Sequence, residues 1–217
     1  MAIKFTIRRL QAPTEDELHQ IGLVLSEAMN KDSICIDGSA NDMKLYYDLC
    51  RACSSAAAAE AHLFAAFLEG TNEVIGSVTF YEPGKVLMGD EKQRAHGFDT
   101  YLESLPPQAQ RWWATFLPQY GAVVDAKLGP GVKDAAWTVN SFGVQERYRC
   151  QGVGRALFEA GEKYAKASKA MAIVETEQRH NVPIYEHLGY SLIDWMKIDG
   201  QGQNPDFDLA VLRRDFA

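Results

Sequence analysis

The chain lacks an apolar run of the roughly 20 residues that cross a bilayer, so no spanning helix is expected. It also lacks a basic excess: Lys and Arg total 22 against 29 Asp and Glu, a net charge of −7. Nucleic-acid binders concentrate Lys and Arg on one face, and anionic membranes attract basic segments. Neither nucleic acid nor membrane is therefore expected as a partner. The N-terminus lacks the continuous apolar core of a secretory signal, which points to a cytoplasmic protein. Four unevenly spaced cysteines, Cys35, Cys50, Cys53 and Cys150, lack a disulfide framework. Cys50-Arg51-Ala52-Cys53 has the C-x-x-C spacing but no second ligand pair, so no metal site is expected. It also falls within a helical pattern instead of following a strand, which disfavours a redox motif.

What remains is an ordinary globular composition, 47% apolar and 24% charged over 217 residues. That length fits one domain, with or without an insertion. Residues 3–10 alternate as a strand does. Thr14 and Glu17 have capping-box spacing ahead of an apolar stripe at Leu18, Ile21, Leu25 and Met29, which predicts a helix. A second helix is expected over about 40–60. Strands are expected at 61–68 and 73–81, joined through Gly70-Thr71-Asn72. Residues 85–134 differ in character: Pro106-Pro107, Trp112-Trp113 and Gly129-Pro130-Gly131 lie among many charges. One helix is expected near 98–119, and the whole stretch reads as a helical insertion at about 84–134 in a single domain. Trp112 and Trp113 suit either a core or a cleft wall. Downstream, Ala135–Val144 reads as a strand, Gly152–Ser168 as a helix and Ala170–Glu175 as a strand. A short helix at 182–188 and strands near 190–198 and 206–213 complete a mixed sheet with helices on both faces.

The most informative stretch runs from Val144 through Arg149-Cys150-Gln151-Gly152-Val153-Gly154-Arg155 to Leu157. A strand ends, a turn follows, and two glycines open a helix. Free N–H groups at a helix start, a positive dipole end and two arginines suit a pyrophosphate. Val153, Ala156, Leu157, Ala160 and Tyr164 form the apolar stripe behind it. A dinucleotide fold would need G-x-G-x-x-G directly after the strand; here Leu157 takes the third glycine position. The G-x-x-x-x-G-K-[ST] pattern of a P-loop is missing.

These residues resemble the (Q/R)-x-x-G-x-(G/A) motif of the GNAT N-acetyltransferase superfamily, with Cys150 where a glycine is usual. A second block, Glu175-Thr176 followed by Asn181-Val182-Pro183-Ile184-Tyr185-Glu186-His187-Leu188-Gly189-Tyr190, resembles the family's later motif. Its form is similar to the puromycin N-acetyltransferase-like and fungal branch. The resemblance covers about 135–215 and implies an α/β GNAT fold, a central mixed twisted sheet of about seven strands. It implies acetyl-CoA as cosubstrate and direct transfer to an amine in a ternary complex. A bulged strand at 136–144 would offer backbone groups of Phe142, Gly143 and Val144 to the pantetheine arm and an N–H to the oxyanion. The loop Arg149–Arg155 would hold the pyrophosphate, and Asn181 the arm as well. Tyr185 takes the family's general-acid position, and its phenol suits protonation of a leaving thiolate. Glu175 is the expected base, with Glu82 and Asp134 as further acids bordering the insertion. Cys150 has no His–Asp partner in view and direct transfer needs no nucleophile.

The expected acceptor is a small-molecule amine. A protein N-terminus or lysine, or a non-catalytic CoA-binding role, are the alternatives. A homodimer is a further expectation, since many family members pair through terminal strands.

Overall fold

The computed structural model describes residues 3–29, 32–199 and 206–216. Strand β1 (Phe5–Leu10) leads into α1 (Glu15–Ala28), α2 (Ser33–Gly38) and α3 (Met43–Glu60). Strands β2 (His62–Leu68) and β3 (Val74–Tyr81) follow, then helices α4 (Glu91–Arg94), α5 (Phe98–Ser104) and α6 (Pro107–Leu128). Strand β4 (Trp137–Val144), α7 (Val153–Ser168), β5 (Ala172–Thr176), α8 (Val182–His187), β6 (Ser191–Ile198) and β7 (Phe207–Arg214) complete the order. The seven strands form one mixed sheet, β1-β2-β3-β4-β5-β7-β6, in agreement with the fold class expected. Only β4 and β5 run parallel; every other neighbouring pair is antiparallel.

Local chemistry accounts for the boundaries. Thr14 Oγ1 accepts from Glu17 N while the Glu17 carboxylate accepts from Thr14 N, so the capping box starts α1 where expected. The stripe behind it buries Leu18, Ile21 and Leu25. The helix expected at 98–119 is two helices. Leu105 and Pro106 are extended (ψ 149° and 147°), because a residue before proline is pushed out of the helical region. Pro107 then starts α6, which runs on to Leu128. Helix α2 had no sequence counterpart.

Two faces result. Helices α7 and α8 cover one, on Phe80, Val139, Val174 and Leu212. On α7 the deepest positions are Val153, Leu157, Phe158, Gly161 and Ala165, so the buried stripe sits one residue beyond the expected Ala156, Ala160 and Tyr164, which are half-buried. Helices α1, α3, α5 and α6 cover the other face, on Leu63, Val74, Ile173, Leu209 and Val211. Trp112 and Trp113 belong to this second core.

Candidate active site

Strands β4 and β5 pair only from Trp137↔Ala172 to Val139↔Val174. Beyond Val139, β4 continues to Val144 without a partner on that side. The cause lies on its other edge. Val78 faces Phe142 but Phe80 faces Val139, so β4 spends one more residue than β3 between these rungs. That extra residue is a β-bulge at Asn140-Ser141, which bends the strand and leaves backbone groups unpaired. A cavity of about 1080 Å³ opens at the splay. Its walls come from both faces of the sheet: Phe142, Gly154 and Tyr185 on the α7–α8 side, and Cys35, Leu49, Trp113 and Glu175 on the α3–α6 side.

On the α7–α8 side the sequence motif folds as a loop. A 3-10 turn, Glu146–Tyr148, leads to Arg149, and Gly152 stands at the N-cap of α7 with φ +85°. A Cβ on Gly152 would meet nothing within 4 Å, so its conformation, not crowding, calls for glycine. Gly154 differs: a Cβ there would lie 3.1 Å from Phe142 Cζ. Its small size serves the packing of α7 on the bulged strand. Cys150 also has a positive φ, +59°, a conformation that suits the glycine of the motif it resembles. It is an exposed free thiol. Val153 is buried beneath the loop. Arg149 Nε donates to Val144 O at 3.1 Å, and Gln151 Nε2 donates to Arg147 O at 3.0 Å, so both side chains brace the loop. Arg155 and His187 Nε2 meet at 2.8 Å across α7 and α8, on the cavity wall.

Tyr185 lines the same cavity. Its ring packs on Phe142, Phe158 and Tyr190 with centroids 6.4, 5.9 and 6.4 Å away. Burial, with a smaller contribution from the negative charge of Asp32, pushes its phenol above the ordinary value, so it carries a proton at neutral pH. Asn181 occupies the N-cap position of α8, but its side chain makes no cap bond. Its Nδ2 donates instead to Thr176 Oγ1 at 3.0 Å, tying α8 to the end of β5.

Glu175 projects to the opposite face. Lys133 Nζ donates to both its oxygens, at 2.8 and 2.9 Å, and the Tyr120 hydroxyl donates to Oε2. Both carboxylate oxygens thus accept hydrogen bonds within the protein, and Lys133 balances the charge. Of the other acids, Glu82 pairs with His62 Nε2 at 2.6 Å, and the Asp134 carbonyl receives Gly84 N. Neither lines the cavity.

Sequence reasoning missed Asp32. It precedes α2, yet its side chain does not cap that helix. It lines the cavity and accepts a hydrogen bond from the Gln178 side chain. Burial, and next the charge of Glu177, push its carboxyl up to about 7. An N-cap residue ahead of so short a helix carries no periodic signal. Tyr120 and Lys133 were missed for a similar reason, since they lie in a segment without a motif.

Among the described residues, no helix is long and apolar enough to cross a membrane. Comparison with known proteins places this architecture. The fold is similar to that of an agmatine N-acetyltransferase, with a TM-score of 0.59 at 14% identity over 98% of this chain and 100% of that one. It is similar to a Drosophila melanogaster polyamine N acetyltransferase, with a TM-score of 0.58 at 14% identity and coverage of 98% and 100%. It also resembles yncA from Salmonella typhimurium, solved with its cofactor acetyl-CoA, with a TM-score of 0.54 at 12% identity and coverage of 99% and 95%. At such identities the likeness is one of fold. No curated protein matches by sequence. The sequence itself matches the family model for the acetyltransferase (GNAT) family over residues 27–190, most of the chain. The chain therefore belongs to the GNAT family of acetyltransferases.

Proposed function

We propose that the protein is an acetyl-CoA-dependent N-acetyltransferase that acetylates a small-molecule amine by direct transfer in a ternary complex. The observation that carries this reading is the splay of β4 from β5 after Val139, which turns the backbone edge of Asn140–Val144 toward a cavity lined by Tyr185. An amide-containing arm placed there completes the sheet by strand addition, with Phe142, Gly143 and Val144 as its partners. The open space at Gly152, the N-terminus of α7 and the charges of Arg149 and Arg155 suit the pyrophosphate at the end of that arm. Asn181, which lines the cavity on the same side, bonds the arm as well.

Acetyl-CoA supplies a thioester carbonyl as acyl donor. A backbone N–H of the bulged strand stabilises the oxyanion that forms when the amine attacks. As the C–N bond forms and the C–S bond breaks, the leaving thiolate takes the proton of Tyr185, whose phenol is held protonated by burial. The amine must give up a proton in turn. Glu175 was the expected base, but its bonds to Lys133 and Tyr120 favour a structural role. The walls that α2, α3 and α6 contribute to the cavity favour a small acceptor over a polypeptide. Residues 84–134 then act as a helical insertion of a single domain that works in the cytoplasm without a metal.

Calorimetric titration with acetyl-CoA, alongside NAD and ATP, tests the reading. Micromolar binding of acetyl-CoA alone is expected, weakened at least tenfold in an Arg149→Ala/Gly152→Ala variant. A folded sample that binds neither acetyl-CoA nor longer acyl-CoAs would falsify the transferase assignment.

A further inference from the structure

Resting on the transferase reading, we propose that the acceptor is a monocationic amine with a bulky apolar body. Its ammonium meets the Asp32 carboxylate, which takes its proton, and its apolar part fills the chamber between α2, α3 and α6.

The two halves of the cavity divide the work by the alternation of the sheet. Phe142 packs toward α7 and α8, on Phe158 and Tyr185, whereas Gly143 turns to α1, where a Cβ would lie 2.7 Å from that of Ala28. On β5, Thr176 meets Asn181 of the α8 side, whereas Glu175 meets Tyr120 of α6. The acyl donor enters from the α7–α8 side, so the acceptor occupies the α2–α3–α6 side. The splay joins the two.

The acceptor side is acidic. Its carboxylates are Asp32, Glu175 and Glu177. Glu175 is already matched by Lys133. Asp32 and Glu177 lie close enough for the charge of one to oppose ionisation of the other, and an ammonium beside Asp32 relieves that repulsion. Glu27 and Glu146 line the cavity as well, but they meet each other beside the phosphate loop, where the Glu27 carboxylate accepts from Glu146 N at 2.7 Å.

The rest of the wall includes the apolar side chains of Cys35, Leu49, Cys53, Leu87 and Trp113. Burial pushes the Cys35 thiol well up and that of Cys53 up to about 12, so both stay neutral. A second ammonium held among these five side chains, beyond Asp32 and Glu177, would lose its hydration without a counter-charge. An aromatic or branched alkyl group would be at home there. The chamber is preformed. Trp113 Nε1 donates to Gly38 O at 2.9 Å, and a Cβ on Gly38 would lie 2.5 Å from Trp113 Cζ2, so α2 is seated directly on α6.

Asp32 is also positioned for proton transfer. Glu177 and Gln178 after β5 act on it, and its own charge is felt by Cys35 of α2, Tyr46 and Cys50 of α3, and Tyr185 of α8. A carboxyl that titrates near neutrality accepts a proton from an ammonium more readily than an ordinary carboxylate does.

The test compares kcat/KM for phenethylamine, tyramine and hexylamine with that for putrescine, agmatine and spermidine, with acetyl-CoA affinity measured in parallel. The apolar monoamines are expected to lead by at least about tenfold. Asp32→Asn is expected to lower kcat/KM for the best monoamine at least about a hundredfold, to abolish its rise with pH through about 7, and to leave the Kd for acetyl-CoA unchanged. Leu87→Glu, on a half-buried wall position, is expected to shift the preference toward the dications by about tenfold. Equal or better turnover of the dications overturns the proposal, as does an unaltered pH profile in Asp32→Asn. Acetyl-CoA binding with no acetylation of any monoamine overturns it while leaving the transferase reading intact. Absence of acetyl-CoA binding removes both.

Discussion

Lys133 Nζ bridges both carboxylate oxygens of Glu175, at 2.8 and 2.9 Å, and so ties the end of the helical segment between β3 and β4 to the last turn outward of β5. Both side chains are largely buried, with 16% and 13% of their surface exposed. Removing one partner leaves an uncompensated charge away from water. Lys133→Met is expected to cost about 2–4 kcal/mol, somewhat below the figure for fully buried pairs. In a chain of this size that lowers Tm by roughly 5–15 °C. The double variant Lys133→Met/Glu175→Gln, which removes both charges, should regain most of the loss. The same pair separates two roles for Glu175. Glu175→Gln should lower the acetylation rate less than about tenfold if the carboxylate is structural, against a hundredfold or more for a general base.

The Arg149–Arg155 loop contains two residues at positive φ, Cys150 at +59° and Gly152 at +85°, and they should respond to substitution with opposite signs. A left-handed conformation costs a residue with a Cβ about 1–2 kcal/mol. Cys150→Gly relieves this and is expected to stabilise the protein by about 0.5–1 kcal/mol after the added entropy of the unfolded chain is counted. Acetyl-CoA affinity should be kept or improved. Gly152→Ala introduces the strain and should lower Tm and weaken acetyl-CoA together. Thermal unfolding with and without acetyl-CoA reads both. A Cys150→Gly variant less stable than the parent would show that the thiol packs favourably enough to outweigh the strain.

How far the sequence reveals such features depends on whether they are written in spacing. Thr14 and Glu17 place the start of α1 because a capping box needs those residue types three apart. Gly152 marks α7 because the turn before it is short and the stripe after it regular. The Arg149–Arg155 loop and Tyr185 stand in contiguous motifs, so spacing alone singles them out, and both line the cavity. Helix α2 was not, since six residues are too few to show a helical period. The division at Leu105-Pro106 was visible in principle, as a residue before proline avoids the helical region. The cavity wall on the α2–α3–α6 side was the least legible part. Asp32, then Trp113 and Tyr120 of α6, and Lys133 come from three separate stretches and reach this side of the sheet only through packing, as Gly38 against Trp113 illustrates.

Tyr185 offers a clean separation of chemistry from packing. Its ring is held by Phe142, Phe158 and Tyr190, and Phe can replace all of those contacts. Tyr185→Phe should therefore leave Tm within about 1 °C, in line with a change of a few tenths of a kcal/mol. Acetyl-CoA affinity should also hold. The rate of acetyl transfer should fall about a hundredfold or more, the usual worth of a positioned acid. Partial recovery with an acyl donor whose leaving group needs no proton would tie the loss to the thiolate. A variant with full activity would move the acid elsewhere.

Asp32 links the chemistry to stability through its titration. Its carboxyl is pushed from the ordinary 3.8 up to about 7 by burial first and by Glu177 second, with the Gln178 hydrogen bond acting in the opposite direction. The sign follows from proton binding. Between the ordinary value and 7 the folded state holds a proton that the unfolded chain has released, so raising the pH through this window destabilises the fold. Below the window both states are protonated and the effect disappears; above it the full cost of the buried charge is present. Asp32→Asn keeps the shape and a partner for Gln178 but cannot ionise. The variant should match the parent near pH 4 and exceed it by about 1–3 kcal/mol at pH 8, an amount reduced from the full shift by the solvent that reaches the cleft. Denaturant unfolding across pH 4–8 measures the difference. A gap that does not grow with pH would mean that Asp32 ionises at an ordinary value, and the residue would lose its claim to the base as well.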